Sequence, residues 1–294
     1  MMNAQKIIQK LDAYERLMRL DKPIGILLLL WPTLWALLIA GRGKPDWIIT
    51  LIFVTGTVLM RSAGCVMNDI ADSRYDGLVA RTQYRPLVAN EVGKKEAYIL
   101  ATVLSLLAFG LVCTLNALTI KLSFVALILA VSYPFTKRFF AIPQAYLGIA
   151  FGWGIPMAFA AIMGYIPPIA WILLLANIFW AIAYDTEYAM VDREDDLKIG
   201  IRSSAITFGR FDVVAVMICY VFVLLLLAFA GKWLAMGYAY YIALAVAAGI
   251  AVYHYFLIRK REKTNCFKAF LGNNWLGFAL LAGLAAQYLI QYLR

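Results

Sequence analysis

Four aspartates at matched spacing are the residues in this chain best suited to chemistry. Asp72 and Asp76 belong to NDIADSRYD (Asn68–Asp76), and Asp192 and Asp196 to DTEYAMVDREDD (Asp185–Asp196). Residues four apart on a helix share a face one turn apart, so each pair places like charges together and costs stability unless a cation offsets them. A hard divalent ion such as Mg²⁺ takes one or two carboxylates and fills its remaining positions with water and phosphate oxygens. Two such pairs, each following a long apolar run, read as a site where metal ions hold a diphosphate. Asp72 and Asp192 are 120 residues apart, as are Asp76 and Asp196. With four apolar runs between the copies, that offset reads as duplication of a four-helix unit.

Cations accompany the acids. Arg74, Arg81 and Arg85 follow the first motif, Arg193, Lys198 and Arg202 lie in or after the second, and YPFTKR supplies Tyr133, Lys137 and Arg138. Carboxylates alone would suit a cation site or a proton path. Carboxylates with Arg and Lys suit a metal-bound polyphosphate, whose residual charge the cations neutralise as a leaving group departs. No Gly-rich Walker loop is present, which argues against nucleotide hydrolysis of that type. Arg61 sits seven positions before Asn68, two helical turns deeper in an apolar run. A buried arginine there needs a partner: a substrate carboxylate, a protein acid such as Asp185, or a hydrated cavity.

The elements that position these residues are membrane spans. Of 294 residues, 64% are hydrophobic and 15% charged, far from a soluble domain. Nine apolar segments approach the length of a bilayer crossing, at about 24–40, 47–67, 97–115, 118–135, 141–163, 168–184, 213–230, 234–258 and 269–291. The expected fold is an all-α bundle of nine transmembrane helices around a central cavity, capped by cytoplasmic loops, in a single domain 1–294. Residues 1–22 add an amphipathic helix at the membrane surface. Lys and Arg fall 21 on the amino-terminal side of these spans and 5 on the other, with Arg61 inside one. That bias places the amino terminus and the acidic motifs in the cytoplasm and accounts for the net charge of +10 without nucleic acid. No signal or transit sequence is legible, so a bacterial inner membrane is the expected location.

Other residues receive plainer readings. Asp69, Glu187, Glu194 and Asp195 read as solvated loop acids or supports of the site, and Arg193 and Lys198 as partners of neighbouring acids. RKREK at 259–263 reads as a topology anchor, and His254, between Tyr253 and Tyr255, as an interfacial side chain. The four scattered cysteines read as structural thiols. Gly152 and Gly154, with Pro156, read as a bend or a close helix approach.

NDxxDxxxD at Asn68–Asp76 and DxxYAxxDxxxD at Asp185–Asp196 resemble the two signature motifs of UbiA-type intramembrane prenyltransferases. RTxxRP at Arg81–Pro86, YPFxKR at Tyr133–Arg138 and NNWLG at Asn273–Gly277 resemble the 4-hydroxybenzoate polyprenyltransferase branch, which acts in ubiquinone synthesis. The likeness covers essentially the whole chain. It implies two Mg²⁺ ions, with Asn68, Asp72 and Asp76 on one side and Asp192 and Asp196 on the other. Asn68, Arg81, Tyr133, Lys137 and Arg138 would contact the diphosphate, Asp185 would stand near the aromatic acceptor, and Arg61 would meet its carboxylate. The expected substrates are a polyprenyl diphosphate and 4-hydroxybenzoate. The alternatives are another aromatic acceptor, such as homogentisate or dihydroxynaphthoate, and, outside enzymes, an ion-coupled transporter with acids at mid-span.

Overall fold

The computed structural model describes residues 4–73, 77, 82–200 and 202–293. The described residues are helical wherever they are regular. In chain order the α-helices are α1 (Ala4–Met18), α2 (Ile24–Ala40), α3 (Trp47–Asp72), α4 (Lys94–Val112), α5 (Ala117–Thr136), α6 (Pro143–Gly152), α7 (Gly154–Met163), α8 (Pro168–Ile199), α9 (Ser204–Phe208), α10 (Asp212–Trp233), α11 (Tyr238–Ile258) and α12 (Lys263–Leu293). Among the described residues eight segments are long and apolar enough to cross a membrane, α6 and α7 together forming one of them. The 17-residue α2 is a further apolar helix, shorter than the rest. Nine apolar segments were expected, and among the described residues the eight spans with α2 match them.

Two boundaries move in a way that matters. The span expected to end at residue 67 continues as helix through Asp72, and the one expected to end at 184 continues through Ile199. The apolar pattern stops at the first charged residue, but backbone hydrogen bonding does not: the acids face a cavity, so nothing forces the chain out of the helix. Both acidic motifs therefore begin on rigid helix rather than on loops. At 32 residues α8 is about 48 Å long by helical rise, so roughly three turns exceed a ~30 Å hydrocarbon core.

Local chemistry sets the ends. Asp46 caps α3 by accepting from the amides of Ile48 and Ile49, and Asn116 caps α5 by accepting from Thr119. Glu96 in the first turn of α4 reaches back to the Gly93 amide at 3.2 Å. Arg19, between α1 and α2, holds a left-handed backbone (φ 60°). Below that turn, Ala13 and Leu17 of α1 pack on Val66 of α3, Leu87 and Ala97. The outer face of α1 leaves Ile7, Ile8 and Leu11 exposed. Lys10 and Tyr14 both bond the Glu96 carboxylate, and Arg16 pairs with Glu91. The hydrogen bond to Glu96, with burial, pushes the Tyr14 phenol up to about 12.

Helix α8 is the most buried span and α4 and α5 the least. Against α8, Trp180 stacks on Trp35 of α2 at 5.4 Å and meets Tyr184 edge-on at 5.5 Å. Close approach supplies much of the association between membrane helices, which lack a hydrophobic drive toward one another. At Gly148 a Cβ would lie 2.7 Å from the Ile178 Cα, and at Gly152 the same distance class recurs against Asn177 and Leu174 (2.6 Å each). The expected close approach at the α6–α7 break is therefore present, with Trp153 donating across it to the Leu122 carbonyl. Because its obstacle is backbone, Gly148→Val should destabilise the bundle by about 1–3 kcal/mol. Gly110→Ala in α4, with open space around it, should be neutral or gain up to ~1 kcal/mol from helix propensity. Thermal unfolding of the two variants in one detergent checks the contrast.

Candidate active site

One large cavity, about 1410 Å³, is bounded by helices α2 to α8 and α12. Asn68 and Asp72 reach it from α3, and Asp185, Asp192 and Asp196 from α8. The spacing on α8 explains the second set: positions 185, 188, 192 and 196 fall on one face of a 3.6-residue helix. Tyr133 and Lys137 enter from the end of α5, and Lys137 forms an ion pair with the buried Asp72. Asp76 and Arg81 lie outside the described residues. Arg138 does not line the cavity. Its guanidinium donates to the Ala71 carbonyl at 3.1 Å on the exposed side of α3, a brace for that helix end.

Asp185 lies beside Gln144 and within electrostatic reach of Lys137 and Arg61. Gln144 itself accepts from the Ser204 amide of α9 at 3.0 Å. Arg61 lines the same cavity, its guanidinium 5.2 Å from the Phe151 ring centroid and close to the backbone of Gly25. Its Nε is buried and has no hydrogen-bond partner among the described residues. An unsatisfied donor on a permanent cation is costly, and an anion arriving in the cavity would relieve it.

Several residues in the site were read otherwise from sequence. Asp69 is buried, not a solvated loop acid: Arg19 donates to it at 3.0 Å and Arg85 at 2.9 Å. Arg19, Lys22, Arg85 and Arg202 all line the cavity. Arg19 and Lys22 precede the first span and carried no local signal; only the turn at Arg19 brings them to the site. Arg193 pairs with Asp212, 19 positions away, and Arg261 of RKREK donates to the same carboxylate at 2.6 Å, so that cluster is a helix clamp as well as a charged surface. The hydrogen bonds to Asp212 hold the Arg261 guanidinium above its ordinary range. Glu187 and His254 are fully buried, not solvated and not interfacial.

The far end of the cavity is apolar, where Leu106 of α4 and Phe124 and Leu127 of α5 line it and are exposed. A polar end ringed by cations and acids, joined to an apolar end, suits a ligand with an anionic head and a long hydrocarbon tail.

Similarity to known proteins narrows that class. The UbiA prenyltransferase family matches residues 29–282, and the chain belongs to that family. It is 66% identical over 281 residues to a 4-hydroxybenzoate octaprenyltransferase of Azoarcus sp. (strain BH72), covering 96% of this chain and 98% of the relative. It is 65% identical over 279 residues to the protein of the same name from Methylobacillus flagellatus, covering 95% and 94%. Among solved structures, the fold matches a UbiA homologue from Aeropyrum pernix K1 with a TM-score of 0.78 at 23% identity, over 92% of this chain and 98% of that one. A homologue from Archaeoglobus fulgidus, bound to GPP and Mg²⁺, matches with a TM-score of 0.70 at 17% identity, over 92% and 99%. The chain is thus an integral, multi-pass membrane protein of a prenyltransferase family, and the transporter alternative has no support.

Proposed function

We propose that this chain transfers a polyprenyl group from a polyprenyl diphosphate to the ring carbon ortho to the hydroxyl of 4-hydroxybenzoate, in ubiquinone synthesis, with Mg²⁺ as cofactor. The observation that carries this reading is the meeting of Asn68 and Asp72 on α3 with Asp192 and Asp196 on α8 in one cavity. The names of relatives at 65–66% identity support the acceptor. The site would face the cytoplasm of a bacterial inner membrane, and the whole chain would form one domain.

The donor set fits Mg²⁺. Among the described residues no three Asp, Glu, His or Cys side chains converge closely enough to cage a metal. Sparse carboxylates on two facing helices are what an ion sharing its shell with water and phosphate requires. Asn68, Asp72, Asp192 and Asp196, with Asp76 of the same motif, would hold it. Bound there, Mg²⁺ neutralises the diphosphate as it leaves.

The protein groups supply the rest. Lys137, with Arg19, Lys22 and Tyr133 lining the same cavity, adds charge and hydrogen bonds to the leaving oxygens, which grow more negative as the allylic carbon–oxygen bond breaks; Arg81 would join them. Arg61 takes the acceptor carboxylate in a charge-assisted pair and aims the ring. Asp185, beside Gln144, accepts from the phenol hydroxyl and directs the ortho carbon toward the allylic cation. A carbon–carbon bond forms, and the ring proton passes to Asp185 or to the departing diphosphate. The apolar end of the cavity keeps water from intercepting the cation.

The test is a transfer assay on membranes containing this chain, with a polyprenyl diphosphate and radiolabelled 4-hydroxybenzoate. Lipid-extractable label should require the diphosphate, vanish with EDTA and return on adding excess Mg²⁺. Label on homogentisate or dihydroxynaphthoate instead would replace the acceptor, and label that persists in EDTA would remove the metal.

A further inference from the structure

We propose that Glu187 is the positioning residue of the second acidic motif. Buried on the far side of α8 from the cavity, it fixes the rotation of that helix through Tyr220, His254 and Asn273, and so the aim of Asp192 and Asp196. The proposal rests on the reading above in taking those two aspartates as metal ligands.

Two residues beyond Asp185, Glu187 points about 200° away around the helix and is 0% exposed. Its Oε1 accepts from the Tyr220 hydroxyl of α10 at 3.0 Å and lies 3.3 Å from His254 Nδ1 of α11. Its Oε2 accepts from the Asn273 amide of α12 at 2.8 Å. One carboxylate thereby ties α8 to three other helices. The Asn273 amide is oriented without ambiguity, because its oxygen accepts from Trp180 Nε1 at 2.7 Å while its nitrogen serves Glu187. Trp180 in turn stacks on Trp35 and abuts Tyr184, which lines the cavity. Tyr220 also approaches His254 Nδ1 at 2.8 Å and Asn273 Oδ1 at 3.0 Å, closing the network. Gly272 leaves space for the His254 ring, whose Nε2 a Cβ there would meet at 2.5 Å.

A buried carboxylate is a poor device for stability, since an apolar replacement of similar volume is often neutral or better. Directional contacts do supply register, and register is what this helix needs. Apolar packing in a membrane distinguishes weakly between helix rotations, and a small rotation of α8 would swing Asp192 and Asp196 off the α3 acids. Supports of this kind tune metal affinity without touching the metal.

The test is metal binding by the purified chain in detergent, read by Mn²⁺ electron paramagnetic resonance with an unreactive prenyl thiolodiphosphate present. Glu187→Gln leaves one acceptor where the carboxylate offers two, so an amide nitrogen faces either Asn273 or the Tyr220–His254 pair, and the Mn²⁺ Kd should weaken by ~10-fold or more. The double variant Glu187→Gln/Asn273→Asp reverses the polarity of that hydrogen bond and keeps the acceptor for Trp180, so it should restore the Kd to within about twofold of the parent. Tyr220→Phe, which keeps volume and removes one donor, should weaken it by about threefold, a fraction of the 10-to-100-fold supports command. A folded Glu187→Gln chain with the parental Kd overturns the proposal, as does a loss that the double variant leaves unrepaired. If Glu187→Gln does not fold, Tyr220→Phe decides, and a parental Kd there overturns it. A parent chain that binds no Mn²⁺ removes the metal reading itself, and the positioning role with it.

Discussion

Asp192→Ala is expected to lower prenyl transfer by at least about 10²–10³-fold, the range for removing one preorganised electrostatic partner of a leaving group, with little change in thermal stability. Asp192 lines the cavity from the C-terminal part of α8, so its removal opens no packed core. Asp72 differs. It is buried and paired with Lys137, and Asp72→Ala would strand an ammonium group inside the bundle. That variant should lose comparable activity and also unfold at lower temperature, because breaking one partner of a buried pair is costly. Turnover of purified protein, measured beside its unfolding temperature, separates the two effects. Full activity in either variant would remove that residue from the metal site.

Arg61→Ala is expected to raise the KM for 4-hydroxybenzoate by ~10–150-fold, corresponding to a charged hydrogen bond worth about 1.5–3 kcal/mol, with the KM for the diphosphate within about twofold. Arg61→Lys should recover only part of the loss, since a point charge cannot reproduce a planar two-donor grip. Stability should move the other way. With its Nε buried and unsatisfied, Arg61 burdens the unliganded fold, so Arg61→Ala should unfold at the same temperature as the parent or above it. An unchanged acceptor KM would exclude Arg61 from acceptor binding.

The spans and the convergence of Asp72 with the α8 acids on one cavity were legible because their signals are local. Four-residue spacing and continuous apolar runs survive in a one-dimensional reading, and α8 carries Asp185, Asp192 and Asp196 to the cavity on the face that spacing predicts. What escaped depends on distant partners. Asp69 reads as solvated until Arg19, 50 residues away, is folded onto it. His254 sits between Tyr253 and Tyr255, which are exposed. Successive helix positions diverge by about 100°, so His254 turns inward where its neighbours turn out. Glu187 lies among acids of the motif and shares their composition but not their face. The helix ends were misjudged for a related reason: charge was taken as the end of the span, whereas a polar cavity lets charged residues stay helical at depth.

The apolar end of the cavity changes what concentration means for this protein. A substrate whose tail fits that end is delivered by lateral diffusion in a film a few nanometres thick, so its effective concentration is a mole fraction of the lipid. The acceptor, a small water-soluble anion, arrives from bulk solution and obeys molarity. For the reaction proposed here the two saturation curves therefore have different units. Adding inert lipid at fixed protein and fixed prenyl diphosphate should slow transfer by surface dilution, while changing the aqueous volume at fixed acceptor molarity should leave the rate untouched.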